Sequence, residues 1–385
     1  MKLKKLLTAM GLVAFASAAW AQSNVTVYGV IDAGMRYDIS ANAAGDNKTA
    51  MVSGGQSTSR IGFRGTEDLG NGLTARFQLE GGLNTTTGTS SQNGSTGTVL
   101  FDRLAFVGLG HKKFGEIQMG RNTTGTFDLA VQGITDPLRM AIGDGVGTPV
   151  NVSNSTYSVS ALRVNQVGVA VSSTNGYRNS RSDSMIKYVN RVGNLGVTVG
   201  YAAGGNTGND NKSSYTGAVT YKFGNLNTGV ALFKSQDNAG KETDSKSYGA
   251  NYTVGKATLT AGLHKMSTDA GFVPANLTTT STATGPVLGL ATTSTPSTDV
   301  TIKTVGVRYR VTDKVSTTLA YYDGDYKNGT GSQGTYKSYV LFNEYTLSKR
   351  TNLYASLDQG RSDGALNQSN NSSNTGIMTG IRHMF

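Results

Sequence analysis

The chain has 385 residues, with 35 Lys and Arg against 24 Asp and Glu, a formal charge of +11, and no cysteine. No disulfide, thiolate metal site or thiol nucleophile can form, so stability must come from backbone hydrogen bonds and packing. With 51 Gly, 5 Pro, 18 Tyr and 12 Phe, the composition is too Gly-rich for a helical protein and too aromatic for a disordered one.

The first residues carry a basic cluster (Lys2, Lys4, Lys5), an apolar stretch from Leu6 to Ala19 and the triplet Ala19-Trp20-Ala21. These are the parts of a secretory signal peptide, expected over 1–21, with one domain over 22–385. After Ala21 no apolar run approaches the ~18–20 residues of a transmembrane helix, which leaves membrane strands open. The remaining basic excess suits anionic solutes or anionic lipid headgroups. It is spread over many segments of an exported chain, so nucleic acid is not expected as a partner.

Alternation with period 2 begins at Val25. Val25, Val27, Ile31, Met35 and Tyr37 share one face, and Thr26, Asp32 and Arg36 the other. Ile61 and Phe63 oppose Arg60 and Arg64; Leu73, Ala75, Phe77 and Leu79 oppose Arg76, Gln78 and Glu80. Similar segments follow at Ile117–Met119, Leu195–Tyr201, Tyr215–Phe223, Tyr248–Val254, Val305–Val311, Val315–Tyr322 and Leu353–Asp358. The last run is Ile377, Thr379, Ile381, His383 and Phe385. About sixteen segments are recognisable, each near the ~9–11 residues of a tilted membrane strand. Two of them, Leu104–Leu109 and Leu226–Phe233, are apolar on both faces and have no assignable phase.

Short connections such as Asp68–Gly72, Lys112–Gly115 and Thr312–Lys314 alternate with long ones. The long ones are expected at Ser40–Ser57, Asn84–Thr98, Asn122–Arg181, Gly204–Asn211, Ser267–Asp299, Gly324–Thr335 and Arg361–Asn374. Short turns at one end and long loops at the other, with aromatic residues near segment ends, predict an outer-membrane β-barrel over a soluble β-sandwich. No chemistry-bearing constellation stands out. The three histidines (His111, His264, His383) lack metal-ligand spacing, no nucleophile accompanies the acidic pairs, and neither metal nor cofactor is expected.

Several stretches together resemble the trimeric Gram-negative porins of Neisseria and Burkholderia type. They are Val25–Gly34, Ser59–Gly70, Phe101–Leu109, Gly115–Arg121, Tyr345–Thr351 and Gly380–Phe385. The resemblance spans the mature chain. It implies an all-β fold: a 16-stranded antiparallel transmembrane β-barrel with a third loop folded into the lumen. It also implies a homotrimer in the outer membrane, in contact with its lipids and lipopolysaccharide, and assembly through the barrel-assembly machinery, with Phe385 as part of the signal. The stretch Asn151–Arg178 departs from the family pattern.

Selectivity in a wide barrel comes from charges at its narrowest level. By resemblance the constriction is expected to comprise Arg60, Arg103 and Arg181 on the wall, with Glu80 beside them and Asp128 and Asp136 on the inserted loop. By alternation Arg36, Arg64, Arg76, Lys187, Arg308 and Arg310 are secondary lumen-facing cations. The implied function is passive diffusion of small hydrophilic solutes and ions, with anions preferred. A substrate-specific anion channel and a plugged barrel acting as a surface adhesin are the alternatives.

Overall fold

The structure is a computed structural model that describes residues 24–40, 46–90, 100–139, 180–204, 211–272, 296–364 and 372–385. The expected signal peptide and the atypical stretch 151–178 lie outside the described residues. The first strands are β1 (Asn24–Ile39), β2 (Lys48–Ser53), β3 (Arg60–Gly70), β4 (Leu73–Gly82), β5 (Leu104–His111) and β6 (Gly115–Thr123). One short helix, α1 (Gly125–Val131), follows. Then come β7 (Arg181–Val192), β8 (Leu195–Ala203), β9 (Asn211–Phe223), β10 (Leu226–Asp237), β11 (Glu242–Val254) and β12 (Ala257–Thr268). The last are β13 (Thr298–Arg310), β14 (Val315–Asn328), β15 (Gln333–Thr346), β16 (Thr351–Gly364) and β17 (Ser373–Met384).

Every neighbouring pair is antiparallel, and β1 pairs with β17, which closes the sheet. Residues 48–53 pair with 33–38 of β1, and 60–66 pair with 24–30 of the same strand. β2 and β3 are therefore two halves of one stave, and the barrel has sixteen staves. This revises the expected long connection at 40–57, since its middle is a strand. Six residues carry too short an alternation to register, yet Met51 faces out and Val52 is buried. The expected long loop at 324–335 is likewise a four-residue turn beyond Asn328, with Gly331 at φ 87°. Outward polar residues such as Asp325 and Lys327 had disguised those strand ends.

The alternation holds on both faces. Val25, Val27, Met35, Ile61, Val199, Val230, Leu259, Leu319 and Ile377 project outward and are exposed, while Asp32, Glu80, Ser247 and Asp358 project inward and are buried. Outward tyrosines and phenylalanines form two girdles. Phe223, Tyr252, Tyr309, Tyr345 and Phe385 lie toward the turns, and Tyr37, Tyr201, Tyr215 and Tyr339 toward the loops. Amphipathic rings favour these two interfaces of a bilayer. The unphased segments resolve as well. Val107, Leu109, Val230 and Leu232 face outward, while Phe106 and Phe233 face inward. Phe106 tolerates the lumen because the Arg76 guanidinium lies over its ring, 5.2 Å from the centroid.

The seam between β1 and β17 has three fastenings. Phe385 exchanges two backbone hydrogen bonds with Gly29, each 3.1 Å, and its ring covers the site where a Gly29 Cβ would stand. Arg36 crosses β17, lying against Gly376, and grips Asp358 of β16 through two bonds of 2.7 and 2.9 Å. It also donates to Asp38 at 2.8 Å.

The third fastening is the break between β2 and β3, whose residues 54–59 fold into the lumen. There the Asp32 carboxylate accepts the Gln56 and Ser57 N–H groups at 2.9 and 2.7 Å and the Tyr354 hydroxyl at 2.7 Å. The Gln56 side chain extends on to Glu344 and Asn352. Replacing Asp32 with Ala strands two N–H donors and one hydroxyl, and is expected to cost about 2–4 kcal/mol. A lower urea midpoint for the folded-to-unfolded gel shift in lipid vesicles would show it; an unchanged midpoint would refute the fastening.

Candidate functional site

The inner wall of β3 to β5 brings Arg60 and Arg103 to one carboxylate, and Arg181 stands on β7. Glu80 of β4 sits between two guanidinium groups: Arg103 Nε donates to its Oε1 at 2.6 Å, and Arg60 Nε lies 3.7 Å from Oε2. The Tyr28 hydroxyl donates to Oε2 at 2.9 Å. Arg103 is held further by its own N–H, which bonds the Glu80 carbonyl at 3.1 Å. Arg103 is buried, whereas the Arg60 side chain keeps 26% of its surface exposed. Arg60 is thus the member of the pair that meets lumen water. Arg181, opposite Thr123 across the β6–β7 ladder, is buried, with its guanidinium 5.0 Å from the centroid of the Phe127 ring.

Phe127 belongs to α1, which begins a segment, 124–139, laid along the inner wall. Thr124 caps the helix by accepting the Phe127 N–H through its hydroxyl. Gly133, at φ 72°, ends it, with Gly133 N–H bonded to the Ala130 carbonyl and Ile134 N–H to the Leu129 carbonyl. Leu129 packs with Ala218 and Ala231 of the wall. Farther along, the Gly133 carbonyl accepts the Asn251 side chain at 2.8 Å, and the Thr135 carbonyl accepts the Thr304 hydroxyl at 2.7 Å.

Glycines make this docking possible. Gly229, Gly249 and Gly262 are direct cross-strand neighbours. A Cβ on Gly249 would stand 2.3 Å from the Ile134 carbonyl oxygen, and one on Gly262 2.3 Å from that of Thr135. Inward glycines in strand interiors mark the close approach of another backbone, and that signal is present in the sequence.

The two loop carboxylates do not hang free in the lumen. Asp128 forms an ion pair with Lys187 Nζ at 2.9 Å, and the same ammonium donates to the Thr123 carbonyl and hydroxyl, each at 2.9 Å. Lys187, expected as a lumen cation, therefore ties α1 to β7. Asp136 is buried and accepts the Tyr322 hydroxyl at 2.7 Å and the Leu138 N–H at 3.0 Å. Its expected place at the constriction is corrected: Asp-Pro forms a turn, whose Asx-type bond holds the carboxylate against the barrel wall at Tyr322, away from lumen water. Arg36 is corrected likewise, because the seam encloses it between two carboxylates.

Among the other expected lumen cations, Arg76 pairs with Glu116 and Arg308 with Glu344. Arg64 lies 5.0 Å from the centroid of Tyr28, and Arg310 is exposed at the end of β13. Neither makes an ion pair among the described residues. Arg139 and Arg191 are two further exposed arginines without an ion pair among the described residues, and the sequence reading had not placed either on the lumen wall. Arg139 follows the Asp136 turn, and Arg191 continues the inward alternation of β7 past Lys187.

Comparison with known proteins adds the lineage. A family model described as Gram-negative porin matches residues 7–365. The chain belongs to that family. An outer membrane porin protein of Bordetella pertussis is 35% identical over 258 residues, covering 61% of this chain and 60% of that protein. Outer membrane porin protein 32 of Delftia acidovorans is 40% identical over 124 residues, 32% of this chain and 33% of that one. The matched stretches thus span less than two thirds of these relatives. Among solved structures, the anion-selective porin from Comamonas acidovorans has a TM-score of 0.70 at 24% identity, covering 94% of this chain and 100% of that one. At that identity the likeness is one of fold. Family and barrel together place the chain in the outer membrane.

Glu80 neutralises part of the Arg60–Arg103 charge at the lumen surface. Glu80→Gln is expected to shift any bilayer current of the protein toward chloride over potassium about two- to five-fold, since removing one carboxylate charge at intermediate dielectric changes ion energies by about 0.5–1 kcal/mol. Reversal potentials of the variant in a KCl gradient measure this, and a shift toward potassium would contradict it.

Proposed function

We propose that the chain forms a water-filled channel through which small hydrophilic solutes and ions cross the outer membrane down their gradients, with anions favoured. The observation that carries the preference is the imbalance of the inner wall. The inward carboxylates Asp32, Glu80, Glu116, Glu344 and Asp358 are each engaged by guanidinium groups or hydrogen-bond donors, and Asp68, exposed beside the β3–β4 turn, accepts the Gly70 N–H. Arg64, Arg139, Arg191 and Arg310 are inward, exposed and outside any ion pair among the described residues. A low-dielectric wall focuses such unmatched charge on the aqueous path.

The segment 124–139 crosses the inner wall of β9 to β14, so its side of the lumen is narrowed. Arg60, Arg103 and Arg181, with Glu80, form the opposing arc of the proposed constriction. The Comamonas acidovorans structure carries the description anion-selective, which agrees with this reading. A trimeric assembly is proposed on the same footing: one of the similar solved structures, OmpT of Vibrio cholerae at TM-score 0.61, is described in a trimer form. Lipopolysaccharide and the barrel-assembly machinery belong to the proposal as partners.

The deciding measurement is the zero-current potential of purified protein in a planar bilayer under a KCl gradient. An anion-signed potential is expected, and the double substitution Arg60→Ser, Arg103→Ser is expected to reduce the chloride preference several-fold. A cation-signed potential would overturn the selectivity, and absence of current from folded protein would overturn the channel.

A further inference from the structure

The turn Asp136-Pro137-Leu138-Arg139 is built to present one side chain. Asp136 accepts the Leu138 N–H through its carboxylate and the Arg139 N–H through its carbonyl, both at 3.0 Å. Pro137 sits on Gly306 of β13, where an added Cβ would stand 2.5 Å from the Pro137 Cβ. Leu138 is buried, and Arg139 is exposed with φ at 54°. A non-glycine residue holds this left-handed conformation only when its surroundings impose it. Here the two hydrogen bonds and the Pro137 contact do so.

Arg308 is the next inward position of β13 after Gly306, one step nearer the turns. Glu344 accepts from Arg308, from the Ser316 hydroxyl at 3.1 Å and from Gln56, so its oxygens are occupied. The Arg139 side chain has no hydrogen bond or ion pair among the described residues. Its guanidinium reaches lumen water yet is ringed by protein. That burial, and next the charge of Arg308, lowers its pKa from the ordinary arginine value, with partial offset from Glu344. Two guanidinium groups thus share one carboxylate that is already spent. In the sixteen-stave order, β13 stands across the lumen from the β3–β5 arc.

We propose that Arg139 and Arg308 form a second anion subsite, for phosphate-sized oxyanions, on the wall opposite the Arg60–Glu80–Arg103 arc. It rests on the porin reading. Planar guanidinium forks match the oxygens of phosphate, phosphate esters and carboxylates, and a doubly charged oxyanion gains more from two cations than chloride does. An anion would then meet cationic groups on both walls, whereas the resemblance implied a basic wall facing an acidic loop.

The test is chloride conductance in planar bilayers at fixed ionic strength with rising potassium phosphate at neutral pH. The unaltered protein is expected to show saturable block. Arg139→Gly, which suits the backbone at φ 54°, is expected to raise the half-blocking phosphate concentration, read relative to that variant's own KCl current, about tenfold. Arg308→Gln is expected to shift it in the same direction. Half-blocking concentrations unchanged in both variants would overturn the subsite, as would block that moves only with Arg60→Ser or Arg103→Ser. Should folded protein carry no KCl current, the porin reading falls, and the subsite is decided by the phosphate-dependent rise in Tm. That rise is expected for the unaltered protein and lost in Arg139→Gly; an equal rise in both would overturn the proposal.

Discussion

A chain that crosses lipid as strands must satisfy every backbone N–H and C=O within its own sheet, because hydrocarbon offers no partner. The sheet therefore has to close, and the β1–β17 ladder is where closure happens. That ladder joins the two ends of the sheet in sequence, so its formation pays the largest loop-closure entropy of the fold. The molecule reinforces it from inside. Arg36 reaches over β17 to Asp358, and Asp32 gathers β16 through Tyr354 and the 54–59 bulge through two N–H groups. Charges and polar groups at these positions are structural because the closure demands them.

The same requirement governs the inserted segment. Residues 124–139 bring carbonyls and N–H groups into the barrel, and each must find water or a partner. Thr216, Asn251, Thr260 and Thr304 supply backbone partners from the wall, and Tyr322 donates to the Asp136 carboxylate. Gly229, Gly249 and Gly262 let the segment approach closely enough for those bonds to form. Apolar burial is small and local, around Leu129 and Phe127. The segment is held chiefly by hydrogen bonds to a rigid wall.

The electrostatics of the lumen follow from which charges the scaffold consumes. Asp128, Asp136, Asp358 and Glu344 are spent on fastening, as are Lys187 and Arg36. What remains exposed on the inner wall, among the described residues, is weighted toward arginine. A count of charges in the sequence could not separate the two groups, since paired and unpaired residues look alike there.

Much of the fold was legible beforehand because a strand writes its environment with period 2. Val25, Val27 and Ile31 against Asp32 and Arg36 gave inside and outside correctly. Legibility failed where that period was too short, at Lys48–Ser53, or was masked by inward aromatic residues, at Phe233 and at Phe106, whose ring the Arg76 guanidinium covers. Within the site, Arg60 and Arg103 both meet Glu80. The uses of Asp136 and Arg36, and the exposure of Arg139, were not readable. The amino-acid sequence by itself determined a membrane barrel with an apolar exterior and a charged interior, because alternation is a local property of each strand. Only the tertiary structure decided which interior charges face water, because that depends on partners brought together across the seam and across the lumen.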